Sequence, residues 1–126
     1  MHNKELVIEI FYQIKNAIET IEDRFKDVDN INYFLDTKRG QEKLDSICMQ
    51  FIAIGESLKN IDKLTNKELL KQYETIDWKA VKGLRDVLSH HYFDLNAEAI
   101  YNVCNDDLKN LHKTINQIIS DLKESK

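Results

Sequence analysis

From its first residues the chain places hydrophobic side chains at steps of three and four. Leu6, Val7, Ile10, Phe11, Ile14, Ala17, Ile18, Ile21 and Phe25 follow this spacing, with Glu, Lys and Asp between them. The spacing puts the apolar set on one stripe of an α-helix. It predicts a helix from residue 4 to about residue 26, with Asn3 as its N-cap. The polar run Asp27-Val28-Asp29-Asn30 breaks the pattern, and a short helical turn is expected around Ile31 to Asp36. A second long helix comes next, through Gln41 to about Asn60, on the stripe Leu44, Ile47, Cys48, Phe51, Ile52, Gly55 and Leu58. Gly55 falls on the buried side of that stripe. A mid-helix glycine costs about 1 kcal/mol relative to alanine, so its position marks a close helix crossing.

Thr65-Asn66-Lys67-Glu68 has the form of a capping box and predicts a short helix through Leu69, Leu70 and Tyr73. Thr75 or Asp77 then caps a helix that starts near Trp78, points Val81, Leu84, Val87 and Leu88 inward, and runs into Ser89-His90-His91-Tyr92. Asp94-Leu95-Asn96 reads as a turn. The last helix covers Ala97 to about Leu122 on Ile100, Val103, Cys104, Leu108, Leu111, Ile115, Ile118, Ile119 and Leu122. No repeat, linker or low-complexity run divides the chain. The fold expected is all-α, a four- to five-helix antiparallel bundle forming one domain over residues 1–126. Apolar residues of the first and last helices that the bundle leaves uncovered would favour a homodimer.

Composition agrees with helices. There is no proline and only three glycines, so helix breakers and hairpin turns are scarce. With 42% hydrophobic and 32% charged residues the chain reads as folded rather than disordered. A net charge of −4 argues against a surface coated with positive charge for non-specific nucleic-acid binding, and leaves room for a local basic cleft. Cys48 and Cys104 sit far apart in apolar surroundings without a CxxC partner, and read as core residues rather than a disulfide or zinc ligands. The N-terminus turns amphipathic at once, which predicts no secretory signal, and no run approaches a membrane span, so the cytoplasm is the expected compartment. No metal and no cofactor are expected.

The phosphate-cradling glycine loop, HExxH and GxSxG are absent. Polar chemistry is densest from Lys79 to Asp94, in KAVKGLRDVLSHHYFD. Arg85, Ser89 and Tyr92 are four and then three residues apart and share a helix face, while Asp86 and His90, four apart, share a neighbouring one. Asp86 can therefore accept a hydrogen bond from one His90 nitrogen and leave the other free for proton transfer. Arg85 offers a planar donor fork suited to a phosphate, and Lys79, Lys82 and Arg85 recur every third residue as a positive stripe. An imidazole beside a guanidinium is the minimum for metal-free RNA cleavage. The base deprotonates a ribose 2′-OH, and the cation offsets charge on the phosphorane oxygens. Spacing alone leaves a second reading open, in which Arg85, Asp86 and His90 form a solvated helix end favoured by the dipole. His91 reads as a surface or packing residue, His2 and His112 as without a role, and Trp78 as core.

At these residues the chain resembles a family. Arg85, four residues, His90, one residue and Tyr92 match the Rx4HxY signature of HepT-like proteins, a branch of the HEPN superfamily. Ile54-Gly55-Glu56-Ser57-Leu58 looks like the family's GE-containing helix, Asp77-Trp78-Lys79 through Gly83-Leu84-Arg85 like its Trp-to-Arg approach, and Val87 to Phe93 matches its LxHxYF pattern. The resemblance implies a HEPN bundle, paired as a homodimer so that both Arg85–His90 sets line one cleft. It implies the toxin of a bacterial toxin–antitoxin pair, a metal-independent ribonuclease acting on tRNA or mRNA. Its partner would be a minimal nucleotidyltransferase (MNT) antitoxin that silences it by adding AMP to Tyr92. Asp86 stands where many relatives carry Asn, and its carboxylate would favour the charged form of His90 and weaken attraction for RNA. A different class stays open beside this one: a non-catalytic nucleotide- or substrate-binding partner of a nucleotidyltransferase, its Arg and His holding a phosphate without cleaving anything. A purely structural helical dimer would leave the whole constellation to chance.

Overall fold

A computed structural model describes residues 3–90 and 97–125, without the side chains of Ser89 and His90. Helix α1 runs Lys4–Phe25, α2 Asn32–Asp36, α3 Lys38–Leu64, α4 Trp78–His90, α5 Ala97–Asn102 and α6 Leu108–Glu124. A 3-10 turn at Leu70–Gln72 lies between α3 and α4, and a π turn at Val103–Asp107 joins α5 to α6. Among the described residues there is no strand, and the all-α bundle expected from the sequence is what forms.

The apolar stripes make one core. Val7, Phe11, Ile14, Ile18 and Ile21 of α1, Ile47, Cys48, Phe51, Ile54, Leu58 and Ile61 of α3, and Ile115 and Ile118 of α6 are all essentially buried. Helix α1 packs against both α3 and α6. Neighbours run antiparallel: Lys4 at the start of α1 bonds the Ser125 carbonyl just past α6, and Asp27 just past α1 pairs with Lys43 near the start of α3. His112 of α6 reaches Glu22 at 2.9 Å and Glu19 at 3.7 Å at the other end of α1. The first and last stripes are thus largely spent inside the bundle, α1 on α3 as well as on α6. The large apolar side chains left exposed among the described residues are Leu6, Leu35, Met49 and Val87.

Four details depart from the pattern reading. Helix α3 runs on to Leu64, because the Thr65 hydroxyl donates backward to the Ile61 carbonyl at 2.8 Å instead of capping the next segment. The expected capping box therefore does not form. Asn66 and Lys67, with φ of 55° and 61°, turn the chain out of the helix, and the Lys67 amide closes onto the Asp62 carbonyl. The short helix through Leu69, Leu70 and Tyr73 reduces to the 3-10 turn. Val87, expected inward, is 54% exposed, because the core side of α4 is carried by Leu88 with Val81 and Leu84 half-buried behind it. The last helical run is continuous in place but widens into the π turn at Val103–Asp107, where Asn105, Asp106 and Asp107 are weak helix formers. The expected turn at Asp94–Asn96 lies outside the described residues.

Asp77 is the cap that forms at the start of α4, its carboxylate accepting from the Ala80 amide at 3.0 Å. Trp78 is buried as expected, its indole N–H donating to the Tyr73 carbonyl at 2.9 Å. Tyr73 in turn donates its hydroxyl to Asp121 of α6 at 2.7 Å, tying the α3–α4 connection to the C-terminal part of α6.

Candidate active site at the α3–α4 crossing

Helix α4 packs along α3, and the crossing is close because Gly55 has no side chain. A Cβ built on Gly55 would stand 2.3 Å from the Cβ of Arg85. The glycine read from the sequence as a crossing point therefore has a specific occupant, the stem of the signature arginine.

Three charged pairs bridge the two helices beside that contact. Glu56 accepts from Arg85 Nη2 at 3.1 Å, Lys59 Nζ donates to Asp86 Oδ1 at 2.9 Å, and Lys82 Nζ donates to Asp62 at 2.5 Å. Arg85 Nη1 also donates to Asp86 Oδ1, at 3.0 Å. The antiparallel crossing explains the register. Glu56, Lys59 and Asp62 recur every third residue on α3; Arg85 and Asp86 meet the first two and Lys82, one turn earlier on α4, meets the last. The Arg85 side chain is 27% exposed, that of Asp86 50%, and that of Lys59 39%. The cluster is thus half-open to solvent. The Arg85 Nε is buried without a hydrogen-bond partner among the described residues, where its stem passes over the crossing.

Electrostatics are set by these contacts. The hydrogen bond to Asp86, and then the charge of Glu56, hold the Arg85 guanidinium even more firmly protonated than usual. Lys59 first, and Arg85 second, hold the Asp86 carboxyl below the ordinary carboxylate range. Asp86 is therefore an anion across the working pH range, and its Oδ1 is already shared by two cations.

Of the residues singled out in the sequence, Arg85 and Asp86 come together at the crossing. Lys82 is in an ion pair with Asp62, and Lys79 lies on the exposed side of α4. Ser89 and His90 are the last two positions of α4, one turn beyond Arg85 and Asp86. Their side chains, the predicted Asp86–His90 bond and Tyr92 lie outside the described residues. Sequence reading passed over Lys59 and Asp62 altogether and took Glu56 only as part of a motif. The signal was the alternating charge at positions 56, 59 and 62, which gains meaning only once α4 is laid against it. Beside the crossing, a cleft of about 430 Å³ separates α4 from the last helix, lined by Phe51, Ile76, Val81, Leu84 and Leu111 with Asp77 and Asp107 among its polar residues.

The model of the family described as Ribonuclease HepT-like matches residues 14–118. The chain belongs to that family. The match takes in every charged residue of the crossing. "Putative RNase MJ0127" of Methanocaldococcus jannaschii is 30% identical over 120 residues, covering 95% of this chain and 93% of that one. "Putative RNase TTE0752" of Caldanaerobacter subterraneus subsp. tengcongensis is 32% identical over 66 residues, 52% of this chain and 55% of that one. "Gamma-glutamylcyclotransferase and putative RNase MJ0434" of M. jannaschii is 28% identical over 113 residues. That match takes in 90% of this chain and 47% of the relative, so the HepT-like domain spans about half of that protein's length. No solved structure gives a significant match.

Proposed function

We propose that this chain is a metal-independent endoribonuclease in which Arg85 holds the scissile phosphate and His90 moves the proton. The observation that carries this reading is the fixed guanidinium of Arg85, seated over Gly55, braced by Glu56 and Asp86, and still open to solvent. An arginine tied on one side presents its remaining donors in a set direction, which suits a phosphorane whose charge develops during reaction. His90 takes the proton of a ribose 2′-OH. The 2′-oxygen attacks the adjacent phosphorus, the P–O5′ bond breaks, and the departing 5′-oxygen takes the proton that the His90 imidazolium gives up. The products are a 2′,3′-cyclic phosphate and a 5′-hydroxyl. Because the nucleophile belongs to the RNA and the proton to an imidazole, the step needs no metal. Asp86 and Ser89 orient this pair, and Lys79 offers a contact to a neighbouring phosphate.

In this reading the chain acts as the toxin of a toxin–antitoxin pair, as a homodimer with two such sites in one cleft. Its antitoxin is an MNT-type nucleotidyltransferase that adds AMP to Tyr92. Arg85 and Tyr92 are seven residues apart in the sequence, and in this reading an anionic nucleotide on Tyr92 competes for the guanidinium. The half-open arginine supports a second reading as well, a phosphate-holding partner of a nucleotidyltransferase that cleaves nothing. Incubation of tRNA in EDTA with wild type and His90→Ala, after intact mass has shown Tyr92 unmodified, separates them. Cleavage by wild type alone, ending in cyclic phosphate, is expected. Intact tRNA with both proteins would favour the binding partner.

A further inference from the structure

Two cations, Lys59 Nζ and Arg85 Nη1, converge on the single oxygen Asp86 Oδ1, at 2.9 and 3.0 Å. A non-bridging phosphate oxygen accepts hydrogen bonds from ammonium and guanidinium groups in the same way and at the same distances. We propose that Lys59 is a second phosphate-binding cation of this site, and that Asp86 Oδ1 occupies the place an RNA phosphate oxygen takes when RNA is bound. This rests on the ribonuclease reading for its substrate but not for its geometry.

Three observations favour it. The side chains involved are half-open, Asp86 at 50% and Lys59 at 39%, so the carboxylate can turn off the two cations, keeping the orienting role toward His90 that the ribonuclease reading gives it, and a phosphate can enter. Exposed ion pairs of this kind are individually weak, so giving up Asp86 costs little, while an incoming phosphate gains both cations together. The local charges also cancel. Glu56 and Asp86 against Lys59 and Arg85 sum to zero, so the two cations act on a phosphate at contact, once Asp86 has turned aside, rather than by long-range attraction. Glu56 stays behind as the brace on Arg85 Nη2, which keeps the fork aimed. Asp86 would then be a built-in competitor that sets how tightly RNA is held, and Lys59, from α3, would complete a site otherwise carried by α4.

The test measures binding of a short 2′-O-methyl RNA, which cannot be cleaved, across a salt series. It compares wild type, Lys59→Met, Asp86→Asn and the double variant. Lys26→Met and Asp23→Asn make the same charge changes in an exposed ion pair on α1 and serve as controls. Lys59→Met is expected to weaken binding about tenfold and to lower the salt slope by about 0.7. Asp86→Asn is expected to tighten it several-fold, and less so when Lys59 is already Met; neither control should do either. If Lys59→Met behaves like Lys26→Met, or Asp86→Asn like Asp23→Asn, the proposal is wrong. Cleavage of unmodified RNA by the same proteins keeps the two readings apart. Lys59-dependent binding without wild-type cleavage would uphold this site and remove the ribonuclease. Cleavage by wild type with binding indifferent to Lys59 would do the reverse, and no RNA binding by wild type would end both.

Discussion

Helix α3 has two working faces, and they obey opposite rules. Toward α1 it buries Ile47, Ile54 and Leu58 essentially completely, against α1 residues equally buried. Toward α4 it places Gly55, Glu56, Lys59 and Asp62, and the partners they meet on α4 are charged. The apolar face is non-directional and strong, each fully buried side chain contributing about 1.5–3 kcal/mol. The charged face is directional and weak, since solvent screens half-exposed ion pairs and ordering their side chains offsets most of the attraction. The first holds the helix in place. The second uses that placement to aim an arginine. Gly55 belongs to both, being buried like the core and pressed against Arg85 like the site.

Substitutions along α3 should separate the two faces. Ile54→Ala strikes the apolar face and should cost about 2–5 kcal/mol by chemical denaturation. Whatever folded protein remains should keep its RNA affinity. A loss of RNA affinity in a folded sample without loss of stability would show that the faces are not separate. Gly55→Ala strikes the joint between them. Its Cβ would meet the Arg85 stem, and overpacking of about 1–3 kcal/mol outweighs the roughly 1 kcal/mol that alanine gains in a helix. A net loss of up to about 2 kcal/mol with a larger fall in RNA cleavage is expected, and a variant more stable than wild type would place the crossing elsewhere. Tyr73→Phe touches neither face and should cost about 1 kcal/mol through its lost hydrogen bond to Asp121. Burial, and then the Asp121 carboxylate, raise the Tyr73 phenol above its ordinary value of 10.0. A raised acid of this kind contributes stability that is fully present below about pH 10 and is lost as pH rises beyond it. Wild type should therefore lose stability there more steeply than Tyr73→Phe. Parallel urea midpoints from pH 9 to pH 11 would contradict that.

What could be read from the sequence divides along the same line. The stripes of α1, α3 and α6 repeat within one helix, so periodicity alone locates the core and the all-α fold. Asp77 as cap, Trp78 as core and Gly55 as crossing were likewise readable, because each has a local physical cost or reward. The Glu56–Arg85, Lys59–Asp86 and Asp62–Lys82 ladder was not, because its pattern exists only between two helices in register. Lys82 looked free in the sequence for the same reason: its partner Asp62 lies twenty residues away. Thr65 misled because Thr-x-x-Glu serves a helix start, while the same hydroxyl one turn past Ile61 can close the preceding helix instead.

Arg85 is expected to act through the direction of its fork and not merely through its charge. Arg85→Lys tests this most directly, with tRNA cleavage in EDTA and thermal melting measured on the same sample. The lysine keeps the cation, lacks the fork and cannot bridge Glu56 and Asp86 together. Melting within a few degrees of wild type and cleavage lowered by about 10²–10³-fold is the predicted result. Cleavage at the wild-type rate from an equally stable protein would contradict a role for the fork.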